Sequence, residues 1–200
     1  MPERFVYLAS SSPRRRELLT QIDVAFVVLG VAFDESADAA ETPSAYVTRV
    51  AAQKARAGWR HRPAGRPAPV LAADTAVVLD HEILGKPRDA QDARRMLLRL
   101  SGRTHAVLTA IAVANEQGVV SRLSSSEVTF RSISVAEADA YWATGEPRDK
   151  AGSYAIQGAA AVFIENLHGS YSGVMGLPLF ETAQLLTELG MPRWRVVEAP

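Results

Sequence analysis

The chain is predicted to be an α/β protein, a two-lobed mixed sheet with flanking helices, and three observations predict it. Short apolar runs of strand length alternate with helix-period segments through most of the sequence. Residues 104–114 and 119–133 form a long β-ribbon turning near Asn115 to Gly118, long enough to divide the molecule into two lobes with a cleft between them, where small-molecule sites usually lie. The 200 residues, 48% hydrophobic, suffice for one well-packed domain, 1–200, without a second independent core.

Each element has a local reason. Residues 5–9 read as a short buried strand; Ser12 is then a good N-cap and Pro13 fits a first helical turn. Residues 25–29 give the next strand signal. Thr42 and Pro43 open a second helix to about Gly58, with Tyr46, Val47, Val50 and Ala51 at helical spacing. RHRPAGRPAP, residues 60–69, is a polar Pro/Gly loop whose charges read as solvated. Residues 70–74 and 76–79 form a nearly continuous apolar strand, with a turn at Asp80 and His81 before a short return over 82–84. Asp89 caps a third helix through Leu100, stopped by Gly102. After the ribbon, Ser134 and Glu137 make a capping box for a helix ending near Gly145. A last helix over about 179–189 stops at Gly190, before a short strand around 195–197.

Composition removes several function classes. Basic and acidic residues balance at 22 each, so no global field draws the protein to nucleic acid or membrane, and any anion must be captured by local charge. There is no cysteine, hence no disulfide, thiolate nucleophile or cysteine-held metal. The N-terminus lacks a charged-then-apolar signal pattern and no apolar run approaches membrane-spanning length, so the expectation is a cytoplasmic protein.

The segment LASSSPRRRELL, residues 8–19, is the most informative. Arg14, Arg15 and Arg16 in a first turn oppose the helix dipole unless an anion sits there too. The hydroxyls of Ser10, Ser11 and Ser12, the free first-turn amides and the guanidiniums could converge on one polyphosphate. A capped helix with solvated arginines is the equally weighted plain reading. Asp74 interrupts an apolar strand where an unpaired carboxylate is costly to bury; it reaches a cleft, a metal or a cation, or else is a strand-end aspartate held by backbone amides. Thr75 either fills the strand or faces the same site. Asp34 and Glu35 are loop acids, and a hydrated magnesium needs only one or two carboxylates plus substrate phosphates. Lys54, late on the second helix, and Lys86, before Pro87, complete a phosphate-handling set if the fold gathers them. DKAGSYAIQG, residues 149–158, joins an ion-pair candidate to a loop or strand bearing Gln157, whose amide both donates and accepts, as reading a nucleobase edge requires. GSYSGVMGLP, residues 169–178, reads mainly as a tight connection into the last helix. His61, His81, His105 and His168 show no metal-ligand spacing and read as structural or exposed.

Taken together, LASSSPRRREL, the pair Asp34-Glu35, Lys54, AADTAVVLDHEILGKP, SGRTH, DKAGSYAIQG and GSYSGVMGLPL resemble the Maf family of nucleoside triphosphate pyrophosphatases, in order and over most of the chain. The resemblance implies a fold similar to inosine triphosphate pyrophosphatases with the nucleotide in the interlobe cleft. It also implies cleavage between the α and β phosphates, giving a nucleoside monophosphate and pyrophosphate. The family's catalytic aspartate falls on Asp74, and its substrate-handling positions fall on Ser10, Arg14, Arg15, Glu35, Lys54, Thr75, Lys86 and Gln157. Glu35 and Asp74 would then be the carboxylates for a divalent cation, Mg2+ or Mn2+, with Asp74 either binding it directly or orienting and deprotonating the attacking water. IQG at 156–158 looks like the branch acting on dTTP and UTP. The alternatives are a pyrophosphatase for 7-methyl-GTP or another modified nucleotide, and a noncatalytic nucleotide-binding regulator of septum formation. The expected partner is the nucleoside triphosphate, with neither nucleic acid nor membrane; a homodimer is plausible only from the prevalence of twofold oligomers.

Overall fold

The computed structural model describes residues 5–30 and 41–191. The acidic pair Asp34-Glu35 and the strand expected around 195–197 lie outside the described residues. The elements are β1 (Val6–Leu8), α1 (Pro13–Gln21), β2 (Phe26–Val28), α2 (Pro43–His61), β3 (Val70–Leu79), β4 (Glu82–Leu84), α3 (Ala90–Leu100), β5 (Thr104–Asn115), β6 (Gly118–Phe130), α4 (Val135–Ala143), β7 (Ile164–His168), α5 (Tyr171–Met175) and α6 (Leu179–Glu188), with 3-10 turns between α4 and β7.

One mixed seven-stranded sheet runs β2-β1-β3-β5-β6-β7, and β4 pairs with β3 beside it. β1 is parallel to both β2 and β3, and the remaining pairs are antiparallel. The ribbon signal is therefore a hairpin, in register from Thr104 opposite Thr129 to Asn115 opposite Gly118. β6 stops at Phe130, three residues short of the expected end, because Arg131 N donates to Phe163 O and the chain turns into the Ser134 cap. That cap is the expected box: Ser134 Oγ accepts from Glu137 N and the Glu137 carboxylate accepts from Ser134 N.

Residues two apart along a strand share a face, and this sorts the core. Val70, Ala72, Ala76 and Ala110, Ala112, Ala114 pack under Val47, Ala51 and Ala55 of α2. The small alanines let α2 lie close to the sheet. Leu71, Ala73, Ile111 and Val113 face the other way, against Leu18 and Leu19 of α1 and Leu185 and Leu186 of α6. Beyond them Val77, Leu79, Val107, Val128 and Phe130 form a third cluster with Leu97 and Leu100 of α3 and Tyr141 of α4. The long β3, β5 and β6 thus carry one lobe flanked by α1, α2 and α6 and another covered by α3 and α4.

β7 and α5 have weak local signals. IENLH offers two apolar residues in five, and YSGVM is five residues with an internal glycine. Both are held by tertiary partners, β7 by β6 and α5 by a seryl network in which Ser170 Oγ caps Gly173 N at 2.9 Å and Ser126 Oγ accepts from Ser170 N at 2.9 Å. Segment 169–178 is consequently more than a connection. Gly169, at φ 121, is required there: a Cβ would stand 2.7 Å from Ser126 Oγ.

Candidate active site

β3 is paired on both sides at its ends but not in its middle. On the side away from β5, β1 accompanies it as far as Leu71 and β4 joins it at Val77, and no strand among the described residues pairs there in between. Asp74 and Thr75 fall in that gap. α1 starts beyond the carboxyl end of β1, with α1 and α2 on opposite faces of the sheet, the position where open α/β sheets form ligand crevices. A cleft of about 310 Å³ opens there, lined by 9–15 and by Lys54, Asp74, Thr75, Lys86, 149–151, 154–157 and 174–176.

Asp74 shares the α2 face with Ala72 and Ala76, and it is 6% exposed. Its carboxylate is not stranded: Lys54 Nζ, one α2 turn beyond Val50, donates to Oδ1 at 2.8 Å, with 13% of the lysine side chain exposed. Of the readings open for Asp74, a cation and a cleft are both realised. Thr75 points to the opposite face, as strand alternation demands, and meets a different set of groups. Arg15 Nη2 lies 3.4 Å from Thr75 Oγ1, while Arg15 Nη1 donates to Ser10 Oγ at 3.1 Å and Arg15 Nε to Gly176 O at 2.8 Å. Thr109, opposite Thr75 on β5 and 1% exposed, has its hydroxyl 3.0 Å from that of Thr75 and donates to Gly173 O at 2.7 Å.

The first turn of α1 differs from expectation in one respect. Ser12 occupies the N-cap position, but its hydroxyl makes no capping bond; its own amide donates to Ser10 Oγ at 3.2 Å. No acidic side chain lies in that turn, so amide dipoles and arginines together present positive charge to the cleft. Arg14 and Arg15 line the cleft, whereas Arg16 is exposed on the outside.

Across the cleft, the 149–158 segment is a series of turns rather than a strand. Lys150 pairs with Asp149. Gly152, at φ 65, lies where a Cβ would stand 2.8 Å from Val77, so glycine is needed for this segment to pack on β3. Gln157 is exposed at the third position of a turn closed by Gly158 N donating to Ala155 O at 3.0 Å. Tyr154 lines the floor with its hydroxyl 2.8 Å from His105 Nε2. His105 is the one structural histidine, 3% exposed and edge-on to Phe130 and Tyr154; the other three are exposed.

Burial lowers the His105 pKa from 6.5 to about 4, so the folded protein holds it neutral while the unfolded chain protonates it. Its contribution to stability is complete above about pH 6.5 and is lost as pH falls towards about 4, reaching about 3 kcal/mol. Denaturant titrations of wild type and His105→Gln between roughly pH 7 and pH 4 check this. The variant should show the shallower loss, and parallel curves would refute the assignment.

A family model described as Maf-like protein matches residues 5–189. The chain belongs to the Maf family. Curated Maf relatives named dTTP/UTP pyrophosphatase include one from Alkalilimnicola ehrlichii, 56% identical over 186 residues and 92% of each chain. Others are from Saccharophagus degradans, 53% identical over 95% of this chain and 91% of the relative, and Methylococcus capsulatus, 53% identical over 95% and 93%. A solved Ham1 protein of Staphylococcus aureus overlaps this chain with TM-score 0.44 at 14% identity, across 64% of this chain and 72% of that one, too loosely to bear on the fold.

In this Maf chain, Ser10, Arg14, Arg15, Lys54, Asp74, Thr75, Lys86 and Gln157 all line the one cleft. Glu35 lies outside the described residues. Sequence reasoning missed Tyr154 and Lys150 as cleft groups, Thr109 as the buried support behind Thr75, and Gly173 and Gly176 as backbone partners. Only Lys150 carried a local signal, its charge beside Asp149. Thr109 looks like any β-branched strand residue, and the glycine carbonyls are usable only once α5 has folded over β5.

Proposed function

We propose that this protein hydrolyses nucleoside triphosphates, dTTP and UTP foremost, to the nucleoside monophosphate and pyrophosphate. The observation that carries the reading is a single cleft in which the Lys54–Asp74 pair, the Arg15 cluster and the Gln157 turn face one another. Relatives at 53–56% identity that bear the name dTTP/UTP pyrophosphatase support the substrate.

The chemistry follows from the side chains. A water oxygen bonds to the α phosphorus, the bond from that phosphorus to the bridging oxygen breaks, and the electron pair leaves with pyrophosphate. Asp74 accepts the water proton. Lys54 donates to the Asp74 carboxylate, which keeps it from swinging toward the polyanion and fixes its aim. Arg14, Arg15 and Lys86 offset the charge on the phosphate oxygens, with donors in place before the charge shifts to the leaving group. Ser10 and Thr75 hydroxyls orient the chain of phosphates through their bonds with Arg15.

No cluster of three or more His, Asp or Glu side chains suited to a metal ion occurs among the described residues. Two carboxylates line the cleft among the described residues, Asp74 and the Lys150-paired Asp149, and that set fits a cation delivered with its triphosphate, because Mg2+ keeps waters and takes one or two carboxylates plus phosphate oxygens. Asp74, with Glu35 as the second carboxylate, would hold Mg2+ or Mn2+. When bound, the cation supplies charge neutralisation and polarisation of phosphate oxygens. EDTA should therefore stop pyrophosphate release, with Mg2+ or Mn2+ restoring it. Full turnover after exhaustive chelation refutes the cation.

Gln157 is the base-reading group in this proposal. Thymine and uracil present acceptor, donor and acceptor, and one amide side chain answers both polarities. Gln157→Glu keeps the shape and removes the donor, so kcat/KM for dTTP and UTP should fall about 10- to 100-fold while other nucleotides change less. Pyrophosphate release from a nucleotide panel decides. A preference for 7-methyl-GTP or another purine triphosphate in wild type sinks the pyrimidine reading, and an absence of turnover on every nucleotide sinks hydrolysis itself. No helix of the described residues is long and apolar enough to cross a membrane. The substrate pool puts the reaction in the cytoplasm.

A further inference from the structure

We propose that Glu146, acting with Tyr141, is a positioning residue for nucleobase selection: the two side chains grip both ends of the turn that presents Gln157. The inference rests on the base-reading role given to Gln157 above and adds the groups that aim it. Tyr141 comes from the last turn of α4 and Glu146 from the 3-10 turn that follows, after Gly145 at φ 79 reverses the chain. The Tyr141 hydroxyl donates to Glu146 Oε1 at 2.6 Å and accepts from Ala155 N at 3.1 Å. Glu146 Oε2 accepts from Ala159 N at 3.1 Å. The backbone is therefore held two residues before Gln157 and two residues after it by one connected pair of side chains.

The rest of the turn is shaped to accept this grip. Ala155, Ile156 and Ala160 are buried, while Gln157 between them is exposed to the cleft. A Cβ on Gly158 would overlap the Glu146 carboxylate, so glycine at that position is what lets the carboxylate approach the turn. Tyr141 is itself locked, 4% exposed and edge-on to Phe163 with ring centroids 5.5 Å apart. Burial, reinforced by the adjacent carboxylate, pushes its phenol up, so the hydroxyl keeps the proton it donates. No strand ladder among the described residues fixes residues 155–159, so their orientation rests on these bonds, on the two turn bonds, Gly158 N to Ala155 O and Ala161 N to Gly158 O, and on the packing of Ile156 and Ala160 beside α3 and α4. A glutamine reading a base by paired hydrogen bonds must be held within a fraction of an ångström, and a turn gripped at both ends supplies that.

The test uses Glu146→Ala and Glu146→Gln in the full chain, with backbone amide exchange at Ala155 and Ala159 and with kcat and KM for dTTP and dGTP. In Glu146→Ala both amides should lose protection, KM for dTTP should rise about tenfold with kcat within about threefold, and the dTTP to dGTP ratio of kcat/KM should fall about tenfold. Glu146→Gln keeps an acceptor for Ala159 N and a polar partner for the phenol, and should recover most of both readouts. Gln157→Glu serves as the reference. If it alters the ratio and Glu146→Ala does not, the positioning role is overturned while the base-reading role stands. If Gln157→Glu leaves the ratio unchanged, the base-reading role is overturned, and with it nucleobase selection as the purpose of the grip. Unchanged amide exchange in Glu146→Ala overturns the grip whatever the kinetics, and so does an equal fall in kcat on both nucleotides with a lowered Tm, which marks a merely structural residue.

Discussion

Asp74→Asn is expected to lower kcat for dTTP hydrolysis at least about 100-fold, the usual cost of deleting a positioned general base. The substitution keeps the side-chain volume in a strand packed under α2 and leaves an amide oxygen to accept from Lys54, so the fold should survive it. What it removes is the negative charge, and with it the ability to take a proton from water or to bind a cation well. The lysine matters to the interpretation. A buried ion pair contributes little net stability over an apolar pair, because desolvation consumes most of the attraction, so Lys54–Asp74 is poorly explained as a stabilising device. Steady-state pyrophosphate release, with circular dichroism to verify folding, is the check. A folded variant that turns over near the wild-type rate removes Asp74 from the chemistry.

Arg15→Ala is expected to raise KM for dTTP about 10- to 100-fold, following the roughly 1.5 to 3 kcal/mol carried by a charged hydrogen bond. Arg15 is more than a surface charge, since its guanidinium touches Ser10 on the β1–α1 loop, Thr75 on β3 and Gly176 at the end of α5. One planar group therefore spans three chain segments. Arg15→Lys separates the two ways the residue could act: it keeps the charge, but an ammonium lacks the fork that holds three partners at once. It should recover only a minor part of the lost affinity. Wild-type KM and kcat in the alanine variant would reduce Arg15 to a tether between loops, and full rescue by lysine would reduce it to a point charge.

Much of this was legible without coordinates. The capping box at Ser134 and Glu137, the helix start at Thr42 and Pro43 and the nearly continuous apolar runs of β3 and β5 are local signals, and each produced the expected element. Asp74 was conspicuous because a carboxylate in a run such as VLAADTAVVL has to be answered by something. The Maf resemblance added which residues belong together, because it reads order across the whole chain. β7 and α5 were not legible, since each is too short and too poor in apolar residues to announce itself and is held by distant partners.

The sequence by itself determined where the main elements lie: apolar patterning marks β3, β5 and α2, and the caps at Thr42, Asp89 and Ser134 set where helices begin. That glycine is required at 152 and 169 became visible only with Val77 and Ser126 packed against them. The tertiary structure alone decided what answers Asp74, because Lys54 lies on another element, 20 residues away. It also decided that adjacent Asp74 and Thr75 face opposite sides of one strand and serve different groups, and that Arg15 reaches a carbonyl 161 residues distant. A hydrogen bond depends on where two atoms end up in space, and a local pattern carries no information about a partner contributed by a remote turn of the chain.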